Sequence, residues 1–132
     1  MAIKIPFTDF ELGFIVGLLE GEGSFRCNRG NNRTSTCMVI SVNMTDLDVI
    51  KHIAKLLGVT SKIMSYNPNK YRKFKHKAKI MYQIELRGIK AIEIMKIILP
   101  YMSKRRQIKI KSLLKEFKSQ TKYLVDGKYV YA

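Results

Sequence analysis

Acidic residues are scarce in this chain. Its 132 residues hold 10 Asp and Glu against 25 Lys and Arg, a formal net charge of +15. A surplus of that size favours a polyanion, nucleic acid first, although basic membrane-surface proteins and lysine-rich solvated helices share it. Cysteine is nearly absent too, with only Cys27 and Cys37. Two thiols do not make a disulfide scaffold, and a chain with 46% apolar residues needs no staple. Reduced thiols are the expectation, with a Cys27–Cys37 disulfide as the alternative. Long apolar runs are missing as well. The longest, Phe14 to Leu19, falls far short of the roughly 20 residues of a membrane span, so no membrane partner is expected. No secretory leader is expected either, because the N-terminus lacks a basic stretch followed by an apolar run and a small-residue cleavage site. The length suits one core better than two, which predicts a single domain over 1–132.

The few acids are unevenly placed. Through Phe25 there are four, Asp9, Glu11, Glu20 and Glu22, against the single base Lys4; the rest of the chain has 24 bases and 6 acids. Glu20 and Glu22 stand in the glycine-punctuated string Gly13-Phe-Ile-Val-Gly-Leu-Leu-Glu-Gly-Glu-Gly-Ser-Phe25. Thr8 with Glu11 three residues on reads as a capping box, which predicts a helix from Asp9 to about Glu20. Gly13, Gly17 and Gly21 recur every fourth residue and line one face of it. Each interior glycine costs about 1 kcal/mol relative to alanine, so another backbone is expected to approach that face closely. A second helix and the domain's own sheet are both candidates. Phe10, Phe14, Leu18, Ile15 and Leu19 are expected to face the sheet.

Period-two alternation predicts strands at Ser24–Arg29 and Thr36–Asn43, joined by the turn-forming Gly30-Asn31-Asn32-Arg33. In the second strand, Met38, Ile40 and Val42 form the inward row, and Cys37, Val39, Ser41 and Asn43 the outward one. A helix from Asp46 to Leu57 follows, ended by Gly58, then strands at Ser61–Tyr66 and Lys79–Leu86, the latter with Ile80, Tyr82, Ile84 and Leu86 inward. Between these strands, Lys70, Arg72, Lys73, Lys75 and Lys77 alternate with Tyr71 and Phe74, which reads as a nucleic-acid contact or as a solvated hairpin tip. Helices are expected at Ile89–Leu99, stopped by Pro100, and at Ser103–Phe117, with Tyr123–Tyr131 as a short hairpin or a loose tail. The fold class is α+β of order αββαββα(α), with helices on one face of an antiparallel sheet and polar residues on the other.

The string Ile15-Val-Gly-Leu-Leu-Glu-Gly-Glu-Gly23, followed by Ser24-Phe25, resembles the name-giving motif of the LAGLIDADG homing endonucleases. The element order, the basic sheet and Lys104-Arg-Arg-Gln107 after Pro100 extend the likeness from about Phe10 to Phe117. The resemblance implies a saddle-shaped sheet lying in the major groove of double-stranded DNA. Chains with one copy of the motif, as here, work in that family as homodimers joined through the motif helices. Gly13, Gly17, Glu20 and Gly21 would then form the dimer interface.

What the resemblance carries to the site is equally specific. Glu22 matches the acid that ligates metal, with the Gly21 carbonyl as a second ligand, and Mg²⁺ or Mn²⁺ is the implied cofactor. Hard cations of this kind serve phosphodiester hydrolysis when held by carboxylate and carbonyl oxygens. Lys104 corresponds to the basic residue near the active site, though Arg105 and Arg106 crowd the same place. Where relatives often carry glutamine at the end of the second strand, this chain has Met44, with Asn43 beside it. Arg26, Asn28, Ser41, Gln83 and Glu85 carry donors and acceptors on the outward rows and are candidates for base contact; Lys62, Arg33, Arg72 and Lys75 are candidates for phosphate contact. The implied activity is a metal-dependent double-strand cut at a long, near-palindromic site, by an intracellular protein of an organellar, archaeal or phage-borne intron. An RNA maturase or a non-cleaving DNA-binding regulator on the same fold is the alternative, and a ribosome-associated basic protein a more distant one.

Overall fold

The computed structural model of the chain describes residues 6–29, 36–67, 79–120, 122–125 and 128–131. It is an α+β fold with four helices and a four-stranded antiparallel sheet. The elements are α1 (Asp9–Glu22), β1 (Gly23–Arg29), β2 (Thr36–Met44), α2 (Leu47–Leu57), β3 (Met64–Tyr66), β4 (Met81–Arg87), α3 (Ile89–Ile98) and α4 (Lys104–Gln120). A 3₁₀ turn, Leu99–Tyr101, holds Pro100, and β5 (Lys122–Val125) with β6 (Lys128–Tyr131) forms a separate antiparallel pair. The main sheet has the order β1-β2-β4-β3. Chain contacts divide the molecule into two compact units, one of Phe7–Ser24 with Ser41–Leu86, the other of Phe25–Ile40 with Arg87–Ala132 and Met1–Pro6. Three of the boundaries, after Ser24, Ile40 and Leu86, fall within strands β1, β2 and β4 and not in linkers.

In the first unit, the capping box forms as the sequence indicates. The Glu11 amide donates to Thr8 Oγ1 at 3.1 Å, and the Thr8 amide donates to Glu11 Oε1 at 2.9 Å. Two donors that a helix start leaves without partners are thereby satisfied. Only Ile15 and Leu19 of α1 are fully buried, while Phe10 is 84% exposed and Phe14 and Leu18 are half-buried. The expected five-residue inward stripe is therefore narrower than its sequence pattern. Phe14 instead meets the His52 ring of α2 edge-on, with centroids 4.8 Å apart. Helix α2 buries Ile50, Ile53, Ala54 and Leu57, starts on the Asp46 carboxylate, which accepts from the Val49 amide, and ends at Gly58.

In the second unit, α3 buries six residues from Ala91 to Ile98, and α4 buries Ile110 and Leu113. Ile108, expected inward, is 63% exposed, and Ile89 is also exposed. Between β4 and α3, Gly88 has φ 77 and donates its amide to the Met38 carbonyl at 2.9 Å. That left-handed geometry is open to glycine at no steric cost. Strand β2 corrects the row assignment made from alternation. Met38, Val39, Ile40, Ser41 and Val42 are all buried, so the strand hides both faces. The reason is legible in retrospect: Met38-Val-Ile is a continuous apolar run, the pattern of an interior strand and not of a half-exposed one. Strand β4 begins at Met81, which leaves Ile80 outside it and exposed.

Candidate metal and nucleic-acid site

Helix α1 runs two residues past its expected end, so Glu22 is its last residue and is exposed. Gly23 ends the helix in an extended conformation, φ −77 and ψ 150, with its amide donating to the Leu19 carbonyl. A side chain at position 23 would have its Cβ 2.6 Å from the Leu19 carbonyl oxygen and 3.0 Å from Leu19 Cα. Backbone that close cannot yield cheaply, so glycine is required where the chain turns from helix to strand directly after Glu22. The sequence contained Gly23 as the last glycine of the motif, but spacing alone did not reveal this contact.

The end of α1 is electrostatically unusual. Glu20 and Glu22 occupy its last turn and no basic residue does. A helix C-terminus carries partial negative charge, so an exposed acid there, as at Glu22, is disfavoured by about 0.3–1 kcal/mol. A cation would reverse the sign of that term. The donors available are hard oxygens, the Glu22 carboxylate and the carbonyls of the last turn, including that of exposed Gly21. Among the described residues, no group of three or more His, Cys, Asp or Glu could enclose a metal. Mg²⁺ characteristically takes one or two carboxylates and completes its shell with water and phosphate oxygens, so this donor set fits it or Mn²⁺.

The other unit shows the opposite arrangement. Lys104, Arg105 and Arg106 open α4, and no acid lies in its first turn. Bases at the positive end of a helix repel it and favour an anion. Lys104 and Arg105 are exposed, whereas Arg106 is half-buried with its guanidinium 5.7 Å from the centre of the Phe25 ring. The Gln107 side-chain amide donates to the Met102 carbonyl at 3.1 Å, fixing the chain just before α4.

The candidate base-contacting residues are mostly on the surface, in two pairs. Arg26 Nε donates to Asn28 Oδ1 at 3.3 Å on β1, and Gln83 Nε2 donates to Glu85 Oε1 at 3.2 Å on β4. All four are half-buried. Ser41 is the exception: at 1% exposure it cannot present its hydroxyl to a base edge, which corrects its expected outward position. Lys62 is exposed, and Arg33, Arg72 and Lys75 lie outside the described residues. Asn43 is exposed and Met44 half-buried at the end of β2. Cys27 and Cys37 are not joined in a disulfide.

On α1, Gly13, Gly17 and Gly21 are exposed, and a Cβ added at any of them would meet nothing within 4 Å. Among the described residues of its own unit, the sheet strands therefore do not occupy the glycine face, which counts against one of the two expected uses of that face.

The family model described as LAGLIDADG endonuclease matches residues 15–118. The chain belongs to that family. No curated protein matches it in sequence. Among solved structures, the LAGLIDADG fold recurs in the homing endonuclease I-CvuI, in complex with the I-CreI target in 2 mM Mg with the DNA not cleaved; the TM-score is 0.57 at 15% identity, over 84% of this chain and 68% of that one. I-CvuI with its own target in 2 mM Ca gives 0.55 at 16% identity, over 83% and 68%. The archaeal intron-encoded homing endonuclease I-Vdi141I, complexed with DNA, gives 0.51 at 19% identity, over 81% and 68%. At such identities the likeness establishes the fold.

Proposed function

We propose that the chain is a single-domain, site-specific double-strand DNA endonuclease, active as a homodimer with Mg²⁺ or Mn²⁺ on a long, near-palindromic site. The observation that carries this reading is the exposed Glu22 carboxylate at the end of α1, in a last turn without any base, inside the stretch by which the chain matches its family. A carboxylate aimed at DNA phosphates repels them unless a cation intervenes, so an acid at this place argues for metal and for cutting. Homing endonucleases of this fold are solved with DNA, one of them, I-CvuI, both with Mg and with Ca present.

Dimerisation is supported by the open glycine face and by the single copy of the motif. Phe10 lies one turn before Gly13 and Gly17 on the same side of the helix, and its 84% exposure gives the face an apolar anchor. Two such helices packed together would bring both copies of Glu22 to one place. When bound, the cation supplies Lewis-acid stabilisation of the phosphoryl group and acidifies a water. Glu22 and the Gly21 carbonyl would hold it. Glu20 supports the interface end of the helix. Lys104 neutralises charge that builds on the phosphate or orients the attacking water. Arg26, Asn28, Gln83 and Glu85 read base edges, and Lys62 positions phosphate, as do Arg33, Arg72 and Lys75. An intron-borne mobile element is the corresponding genomic setting.

The test incubates the protein with a randomised duplex library in Mg²⁺ and in Ca²⁺ and recovers bound and cut molecules separately. Binding in both with cutting in Mg²⁺ alone is the expected result. Binding without cutting in Mg²⁺ or Mn²⁺ would make the chain a non-cleaving DNA-binding regulator, and preference for RNA over duplex DNA a maturase.

A further inference from the structure

An open hollow of about 380 Å³ lies within the first unit, lined by Asn43, Met64, Ser65, Tyr66, Met81 and Gln83. In the antiparallel register Met64 stands opposite Gln83, and Tyr66 opposite Met81. Residues two apart in a strand share a face, so these four side chains belong to one face of the β3–β4 pair. Met64 is 47% exposed and Tyr66 50%. Large apolar groups are thus left in water beside two side-chain amides, Asn43 and Gln83, in a molecule whose charge attracts DNA.

The chemistry of that surface is complementary to one kind of base pair. In the major groove an A·T pair shows the adenine N7 acceptor, the adenine N6 donor, the thymine O4 acceptor and the thymine 5-methyl group. A primary amide matches the adenine edge with two hydrogen bonds, and apolar surface matches the methyl. Gln83 Nε2 spends one hydrogen on Glu85 Oε1 at 3.2 Å. Its second hydrogen and its Oε1 retain the donor–acceptor pair that adenine requires. A G·C pair in its place would set the guanine O6 acceptor against the Gln83 oxygen, where adenine offers a donor, and would leave the methionines without a methyl to pack on.

We infer that this hollow reads an A·T pair, with Gln83 on adenine, the thymine methyl between Met64 and Met81, and Glu85 as the residue that orients Gln83. The inference rests on the DNA-cleaving function proposed above and adds which base pair the chain selects there and by what means. It brings in Met64 and Met81, which alternation in the sequence did not mark as recognition residues.

The test takes duplexes that the full chain binds from a randomised library in Ca²⁺ and resynthesises them with each thymine in turn replaced by deoxyuridine, which removes only the methyl. One thymine per half-site is expected to lose about fourfold in affinity on replacement, the worth of one buried methyl. That loss should vanish in Met64→Ser or Met81→Ser, while sensitivity at the other thymines persists and reports an intact fold. Gln83→Ala should relax the adenine preference at the same pair by about fivefold or more. Glu85→Ala should relax it too, and Glu85→Gln, which keeps the acceptor, should restore it. Tolerance of deoxyuridine at every position, or a loss unchanged in both methionine variants, overturns the inference while leaving DNA binding intact. Failure to enrich any duplex would overturn the nuclease function itself and this reading with it.

Discussion

At the scale of single residues, Glu22 and Gly23 separate chemistry from geometry at adjacent positions. Glu22 is exposed and ends its helix in a turn that has no base, so Glu22→Gln removes the charge proposed to hold the metal and nothing from the core. The cleavage rate in Mg²⁺ should fall by at least about 100-fold, while affinity for the same duplex in Ca²⁺ changes little, as single-turnover cleavage and gel-shift titration would measure. Wild-type cutting by Glu22→Gln would end the catalytic assignment. Gly23→Ala acts through packing. Its Cβ would sit 2.6 Å from the Leu19 carbonyl oxygen, and relief requires moving either the helix end or the strand start. Overpacking of that kind costs about 1–3 kcal/mol, to be read from urea unfolding. Because the displaced backbone bears Glu22, cleavage should drop by more than stability alone explains.

At the scale of elements, α1 yields a prediction with two opposite signs. Gly17 is exposed, and among the described residues a Cβ there would meet nothing within 4 Å. Gly17→Leu should raise the intrinsic stability of the helix by somewhat under about 1 kcal/mol, since leucine is a far better helix former than glycine. The same side chain would wedge apart two α1 helices packed on their glycine faces. Sedimentation should therefore give monomer mass for the variant and dimer mass for wild type, and an unchanged mass for Gly17→Leu would remove α1 from the interface. The elements themselves were largely legible in the sequence. The Thr8–Glu11 box, the Asp46 and Gly58 ends of α2 and the stop at Pro100 are local signals, and local hydrogen bonds decide them. Less legible was everything that depends on neighbours. Val39 and Ser41 look outward by parity and yet are buried, at 0% and 1% exposure. Phe10 and Ile108 fit the apolar period of their helices and yet lie in water. At the candidate site, Glu22 was legible as a motif position, but the hollow of Met64 and Met81 arises only when β3 and β4 pair in register, which no single stretch of sequence encodes.

At the scale of the whole molecule, charge makes a claim that is independent of any one residue. Fifteen net positive charges exceed what solubility asks of a small domain, and the surplus should appear as counterion release when DNA binds. A dimer contacting roughly 6–10 phosphates should show a slope of about −5 to −9 in log affinity against log salt, losing about 10³–10⁵ in affinity from about 50 to 200 mM. Two variants divide that affinity into its parts. Lys62→Ala, which removes an exposed base from each of the two protomers, should flatten the slope by about 2 and weaken all sequences alike. Gln83→Ala should leave the slope unchanged and alter only the ranking of sequences, because an uncharged amide releases no counterions. If the wild-type slope is flatter than about −2, the positive charge serves something other than phosphate binding, and specificity would have to come from the base-facing residues without that help.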